Sequence, residues 1–99
     1  MIRSIDEGAT FLVLHAGSDG GYRIARELLR AGCRVAVTSR FPTDLARILH
    51  GYPAQQVLAI AAEDSQLDRV INLVEGRWGA INAIVDADAA SKNAPLEAA

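Results

Sequence analysis

Ninety-nine residues, 51% apolar and 22% charged, suffice for one domain around one core. A net charge of −2, with the arginines scattered along the chain, leaves no basic face for nucleic acid, and no apolar stretch approaches membrane-spanning length. The single cysteine, Cys33, excludes an internal disulfide and a metal site built on cysteine pairs, and the polar start MIRSIDEGAT is unlike a signal peptide, so a cytoplasmic protein is expected.

Met1 to Ala9 reads as a loose lead-in. Thr10 to Leu14 is a strand, apolar at consecutive positions as expected for a central parallel strand buried on both faces. The glycine-rich turn His15-Ala16-Gly17-Ser18-Asp19-Gly20-Gly21 follows, then a helix from about Gly20 to Ala31 with Ile24, Ala25, Leu28 and Leu29 on one face and Gly32 as its C′ residue. A second strand is expected from about Cys33 to Thr38, with Cys33 as a small core residue.

Pro42 opens a short second helix with Leu45, Ile48 and Leu49 on its apolar face, and Gly51 ends it. The third strand spans about Gln56 to Ala61. Asp64 or Ser65 caps a third helix from about Ser65 to Arg77, striped by Leu67, Val70, Ile71 and Val74, with Trp78 as a core residue beyond it. The fourth strand is expected from Ala80 to Val85, followed by a loop from Asp86 to Ala90 and a loose tail from Ser91 to Ala99.

The order βαβαβαβ implies an α/β fold: a Rossmann-like, three-layer parallel sheet with strand order 3-2-1-4, the first two helices on one face and the third on the other. The fourth strand is then an apolar edge, which invites a second copy or another partner chain. Strand, glycine turn and helix together place a pyrophosphate on a helix N-terminus, where unpaired N–H groups and a partial positive charge meet the anion.

From about Ala9 to Ala98 the chain resembles the N-terminal part of the short-chain dehydrogenase/reductase family, which makes it a single truncated cofactor domain over residues 1–99. Against the family's TGxxxGxG motif, Leu14 takes the threonine position, His15 the first glycine, Asp19 the second and Gly21 the third, with Gly17 and Gly20 displaced. A carboxylate at Asp19 is expected to face the pyrophosphate and repel it. Ser39-Arg40 resembles members that prefer the 2′-phosphate of NADP, so NADP is expected over NAD.

Ala61-Ala62-Glu63-Asp64 resembles the segment whose acid meets the adenine amino group. Arg77-Trp78-Gly79-Ala80-Ile81-Asn82 resembles the family's approach to the fourth strand. Where the family has Asn-Asn-Ala-Gly, this chain has Asp86-Ala87-Asp88-Ala89, read as two solvated acids in preference to a divalent-cation site. The cofactor contacts implied are Gly17, Ser18, Gly20, Gly21, Tyr22, Ser39, Arg40, Glu63 and Asp64.

The family's catalytic serine and Tyr-x-x-x-Lys have no counterpart: Tyr22 is followed four residues on by Arg26, Tyr52 by Gln56, and Lys92 has no tyrosine four before it. The expected function is an NAD(P)-binding module unable to transfer hydride alone. The alternatives are a cofactor-free structural or interaction domain, or one piece of a split or longer carbonyl reductase.

Overall fold

The structure, a computed structural model, describes residues 8–88; residues 1–7 of the expected Met1–Ala9 lead-in and the tail from Ser91 lie outside them. The elements are β1 (Thr10–Leu14), α1 (Asp19–Arg30), β2 (Arg34–Ser39), a 3-10 turn (Pro42–Leu45) running into α2 (Ala46–Leu49), β3 (Val57–Ala61), a 3-10 turn (Asp64–Gln66) running into α3 (Leu67–Trp78), and β4 (Ala83–Asp86). The strands form one parallel sheet in the order β3-β2-β1-β4, as the alternation of elements implied.

Side-chain alternation divides the core in two. Val13, Val35, Val37 and Val57 face α1 and α2, where they meet Ala25, Leu28, Leu29, Leu45, Ile48 and the fully buried Cys33. Leu12 and Ala36 face α3, where they meet Val70 and Val74, with Leu14, Leu58, Ile60 and Trp78 packed around them. The first two helices therefore cover one face and the third covers the other. β4 forms one edge, with Ile84 46% exposed.

α1 ends as its sequence specifies. Gly32 has φ +90°, Gly32 N–H donates to Leu29 O, and Cys33 N–H donates to Leu28 O, the paired bonds of a Schellman cap. α2 is only four residues long and is held by its neighbours. The Arg26 guanidinium lies 5.7 Å from the Tyr22 ring centre and 5.0 Å from that of Tyr52, and it donates to the His50 carbonyl at 2.6 Å.

Three boundaries differ from expectation. Gly8 and Ala9 are tied down: Gly8 N–H donates to Gly32 O, and Arg34 N–H donates to Ala9 O. β4 begins at Ala83, three residues late, because the Asn82 side chain occupies the ladder: its Oδ1 accepts from Thr10 N–H at 2.8 Å while Asn82 N–H donates to Thr10 O. Ala87 and Asp88 are helical rather than loop; Ala89 and Ala90 lie outside the described residues.

The turn from β1 into α1 rests on a close approach. A Cβ on Gly21 would lie 2.5 Å from Ala16 Cα, so backbone meets backbone with no room for a side chain. By contrast, nothing lies within 4 Å of a Cβ built on Gly76 in α3. Gly21→Ala is expected to lower stability by roughly 1–3 kcal/mol despite alanine's better helix propensity, whereas Gly76→Ala is expected to raise it by roughly 0.5–1 kcal/mol. Urea unfolding of the two variants checks both signs.

Candidate functional site

A cavity of about 180 Å³ opens at the C-terminal ends of the strands, on the α3 side of the sheet. Leu14 and His15 line it after β1, Thr38 and Ser39 at the end of β2, and Ala62, Glu63 and Asp64 after β3. Leu67 and Val70 form its α3 wall, and Asp86 closes it from β4. The location follows from topology: β1 lies between β2 and β4, the crossovers leave it on opposite sides, and the strand ends part there to form a crevice.

Thr38 is 6% exposed, and its hydroxyl oxygen has no hydrogen-bond partner in the protein. A buried hydroxyl left unmet costs free energy, so Thr38 is a point of local frustration beside the cavity.

His15 spans the cavity. Its backbone is left-handed at φ +56°, a conformation that costs a non-glycine residue roughly 1–2 kcal/mol. The backbone is anchored on the next residue, where Ala16 N–H donates to Thr38 O at 2.9 Å. The imidazole then reaches both sides: Nδ1 lies 2.8 Å from Asp86 Oδ1, and Nε2 lies 2.7 Å from Asp64 Oδ1. Asp88 Oδ2 lies 3.9 Å from Nδ1, and Asp88 N–H donates to Asp86 Oδ1, which orients that carboxylate. The hydrogen bond to Asp86, followed by the bond to Asp64, holds the imidazole above its ordinary value of 6.5 against the opposing effect of partial burial.

The expected contacts divide into two groups. Ser39, Glu63 and Asp64 meet at the cavity wall. Gly17, Ser18, Gly20 and Gly21 form the adjoining turn, where Ser18 Oγ accepts from Gly21 N–H at 3.0 Å and caps α1. A Cβ on Gly17 would lie 3.0 Å from Ser39 Oγ and 2.9 Å from Asp44 Cβ, so the chain's own side chains already border the turn.

Tyr22 and Arg40 do not line the cavity. Tyr22 packs on the α2 side under the Arg47 guanidinium, and Arg40 is exposed, 5.7 Å from the Phe41 ring centre. Asp19 corrects the expected repulsion: its carboxylate is bound to Arg47 of α2 at 2.8 Å, and that bond holds it below the usual carboxylate value. Asp86, read as a solvated acid, is instead a partner of His15.

Sequence reasoning missed three of the polar residues that line the cavity, His15, Thr38 and Asp86. Thr38 signals itself as the polar residue that ends the apolar run Val35-Ala36-Val37. The bridging role of His15 has no local signal, because its partners lie 49 and 71 residues away.

No protein-family model matches this sequence, and no curated protein does. Solved structures do match. A short-chain dehydrogenase from Streptomyces avermitilis is 28% identical with a TM-score of 0.69, over 85% of this chain and 30% of that one. A putative short-chain dehydrogenase from Pseudomonas syringae is 26% identical with a TM-score of 0.68, over 81% of this chain and 36% of that one. A 3-ketoacyl-(acyl-carrier-protein) reductase from Brucella melitensis, complexed with NADH, shares the fold at 22% identity and a TM-score of 0.70, over 79% and 33%. The matched structures are short-chain dehydrogenases/reductases, and the chain corresponds to their N-terminal part, about a third of their length.

The His15 bridge has a definite pH signature. A raised folded-state pKa means that the bridge's stabilisation is fully present below the ordinary value of 6.5 and is lost as pH rises through the higher folded value. His15→Asn keeps a residue tolerant of the left-handed turn but removes the double reach. Its stability deficit relative to wild type, from urea midpoints, is expected to be larger at about pH 6 than at about pH 8. An equal deficit at both values contradicts the bridge.

Proposed function

We propose that the chain is a nucleotide-binding module of the short-chain dehydrogenase/reductase type, and that its cavity takes the adenine-side part of NAD(P). The carrying observation is the cavity at the crevice of the sheet, lined by the ends of the strands beside the glycine turn. At about 180 Å³ it is smaller than the roughly 300–1,000 Å³ of pockets that enclose a drug-sized ligand, which suits one part of a dinucleotide with the rest lying along the turn.

Glu63 or Asp64 would accept from an amino group on the base, and Ser39 would meet the ribose. The exposed Arg40 adjoins Ser39 and would pair with a 2′-phosphate, which favours NADP over NAD. The turn of Gly17, Ser18, Gly20 and Gly21 would hold the pyrophosphate, with Tyr22 behind it on α1.

Bound nicotinamide would supply a hydride acceptor or donor. This chain's own part is to bind and orient, because the residues present offer no tyrosine–lysine pair to move the accompanying proton. Carbonyl reduction would then require further chain or a second polypeptide carrying that pair. The β4 edge with its half-exposed Ile84 is where such a chain, or a second copy of this one, would pair; a cytoplasmic setting fits the lone buried cysteine.

A cofactor-free interaction domain is the second reading. Its support is that Ser18 already caps an amide of α1, that Ser39 and Asp44 crowd Gly17, and that His15 crosses the cavity.

Fluorescence titration with NADPH separates the two. The nucleotide reading expects saturable binding, weakened about tenfold in Arg40→Ala with NADH affinity unchanged. No saturable change at millimolar NADPH would favour the interaction domain. In that case sedimentation is expected to show a dimer that dissociates on dilution.

A further inference from the structure

The contact between His15, Asp64 and Asp86 has a stoichiometric property that plain packing does not. Both ring nitrogens lie within hydrogen-bond distance of a carboxylate oxygen, 2.8 Å to Asp86 and 2.7 Å to Asp64. A neutral imidazole carries one N–H, so it can donate to one carboxylate and must turn a lone pair toward the other. Only the imidazolium satisfies both.

The two carboxylates belong to different parts of the sheet's rim: Asp64 to the β3–α3 connection and Asp86 to the end of β4. They stand at the cavity mouth, with 85% and 41% of their side-chain surface exposed, and the imidazole bridges them.

We propose that His15 is a proton-controlled latch over the cavity: as the imidazolium it joins Asp64 to Asp86 and closes the mouth, and on losing its proton it releases one carboxylate and admits the nucleotide base. The gating half of this inference rests on the nucleotide reading above; the latch itself does not.

The charged groups facing His15 are Glu63 and Asp64 from the β3–α3 connection, and Asp86 with the more distant Asp88 from the end of β4. β2 contributes only the uncharged Thr38 and Ser39 to the same wall, and Asp19 at the start of α1 is bound to Arg47.

This arrangement gives the proposal a sign that simple electrostatics does not share. When His15 is neutral the mouth is more acidic, so charge alone would weaken nucleotide binding as pH rises. A latch that opens makes binding tighter instead.

The experiment has two arms. In the first, the His15 imidazole resonances of the full chain are followed by NMR against pH in wild type, Asp64→Asn and Asp86→Asn. Each substitution is expected to lower the midpoint, Asp86→Asn by more; midpoints unchanged in both variants overturn the latch.

In the second arm, NADPH is titrated at about pH 6 and about pH 8 into wild type and His15→Asn. Wild type is expected to bind roughly fivefold or more tightly at the higher pH relative to the variant, which also cancels the titration of the ligand's own phosphates. An equal or weaker relative affinity at the higher pH overturns the gating. Failure of NADPH to bind either protein at either pH sinks the nucleotide reading and the gating with it, and the NMR arm still decides the latch.

Discussion

The contact between Gly21 and the backbone of Ala16 governs the geometry of this end of the sheet. Because no side chain stands between them, α1 starts directly against the chain leaving β1. The turn between must then reverse within a few residues, and His15 takes the left-handed conformation at its first position. That backbone setting carries the imidazole across the strand ends to Asp64 and Asp86. A looser joint would separate β1 from α1 and with it the two sides of the crevice.

Two charged side chains in this turn have been turned to different uses. Asp19 sits in the first turn of α1, where a carboxylate complements the helix dipole, and Arg47 draws it toward α2. The helix N-terminus is therefore partly compensated before any anion arrives. His15 brings a proton-binding group to a rim that otherwise holds carboxylates. His15 thus gives the charge at the mouth a dependence on pH, while the charge at the helix start is neutralised by a pair.

The architecture was legible because each strand is a run of apolar residues ended by turn chemistry, and each helix has its stripe and its closing glycine. The run Val35-Ala36-Val37 and the Gly32 stop needed no tertiary knowledge. The sequence places the start of β4 too early because Asn82 mimics a strand carbonyl with its side chain, an arrangement that depends on where Thr10 lies across the sheet. Ser39, Glu63 and Asp64 were legible as residues at the crevice through the family resemblance of the segments that carry them, and they lie at or just beyond the ends of β2 and β3. The setting of Asp19 is not legible for the opposite reason: its direction is set by Arg47 on a helix whose docking depends on the stacking of Arg26 between two tyrosines.

Thr38 carries one more implication. A valine there would have nearly the same outline and no hydroxyl to satisfy, and the end of a buried strand is ordinarily a place for such a residue. By keeping threonine, the sheet accepts a local frustration where β2, through Thr38 and Ser39, meets the cavity. Because the hydroxyl oxygen is occluded, relief requires the packing around it to part, so the end of β2 is a point of stored frustration beneath the charges around the opening.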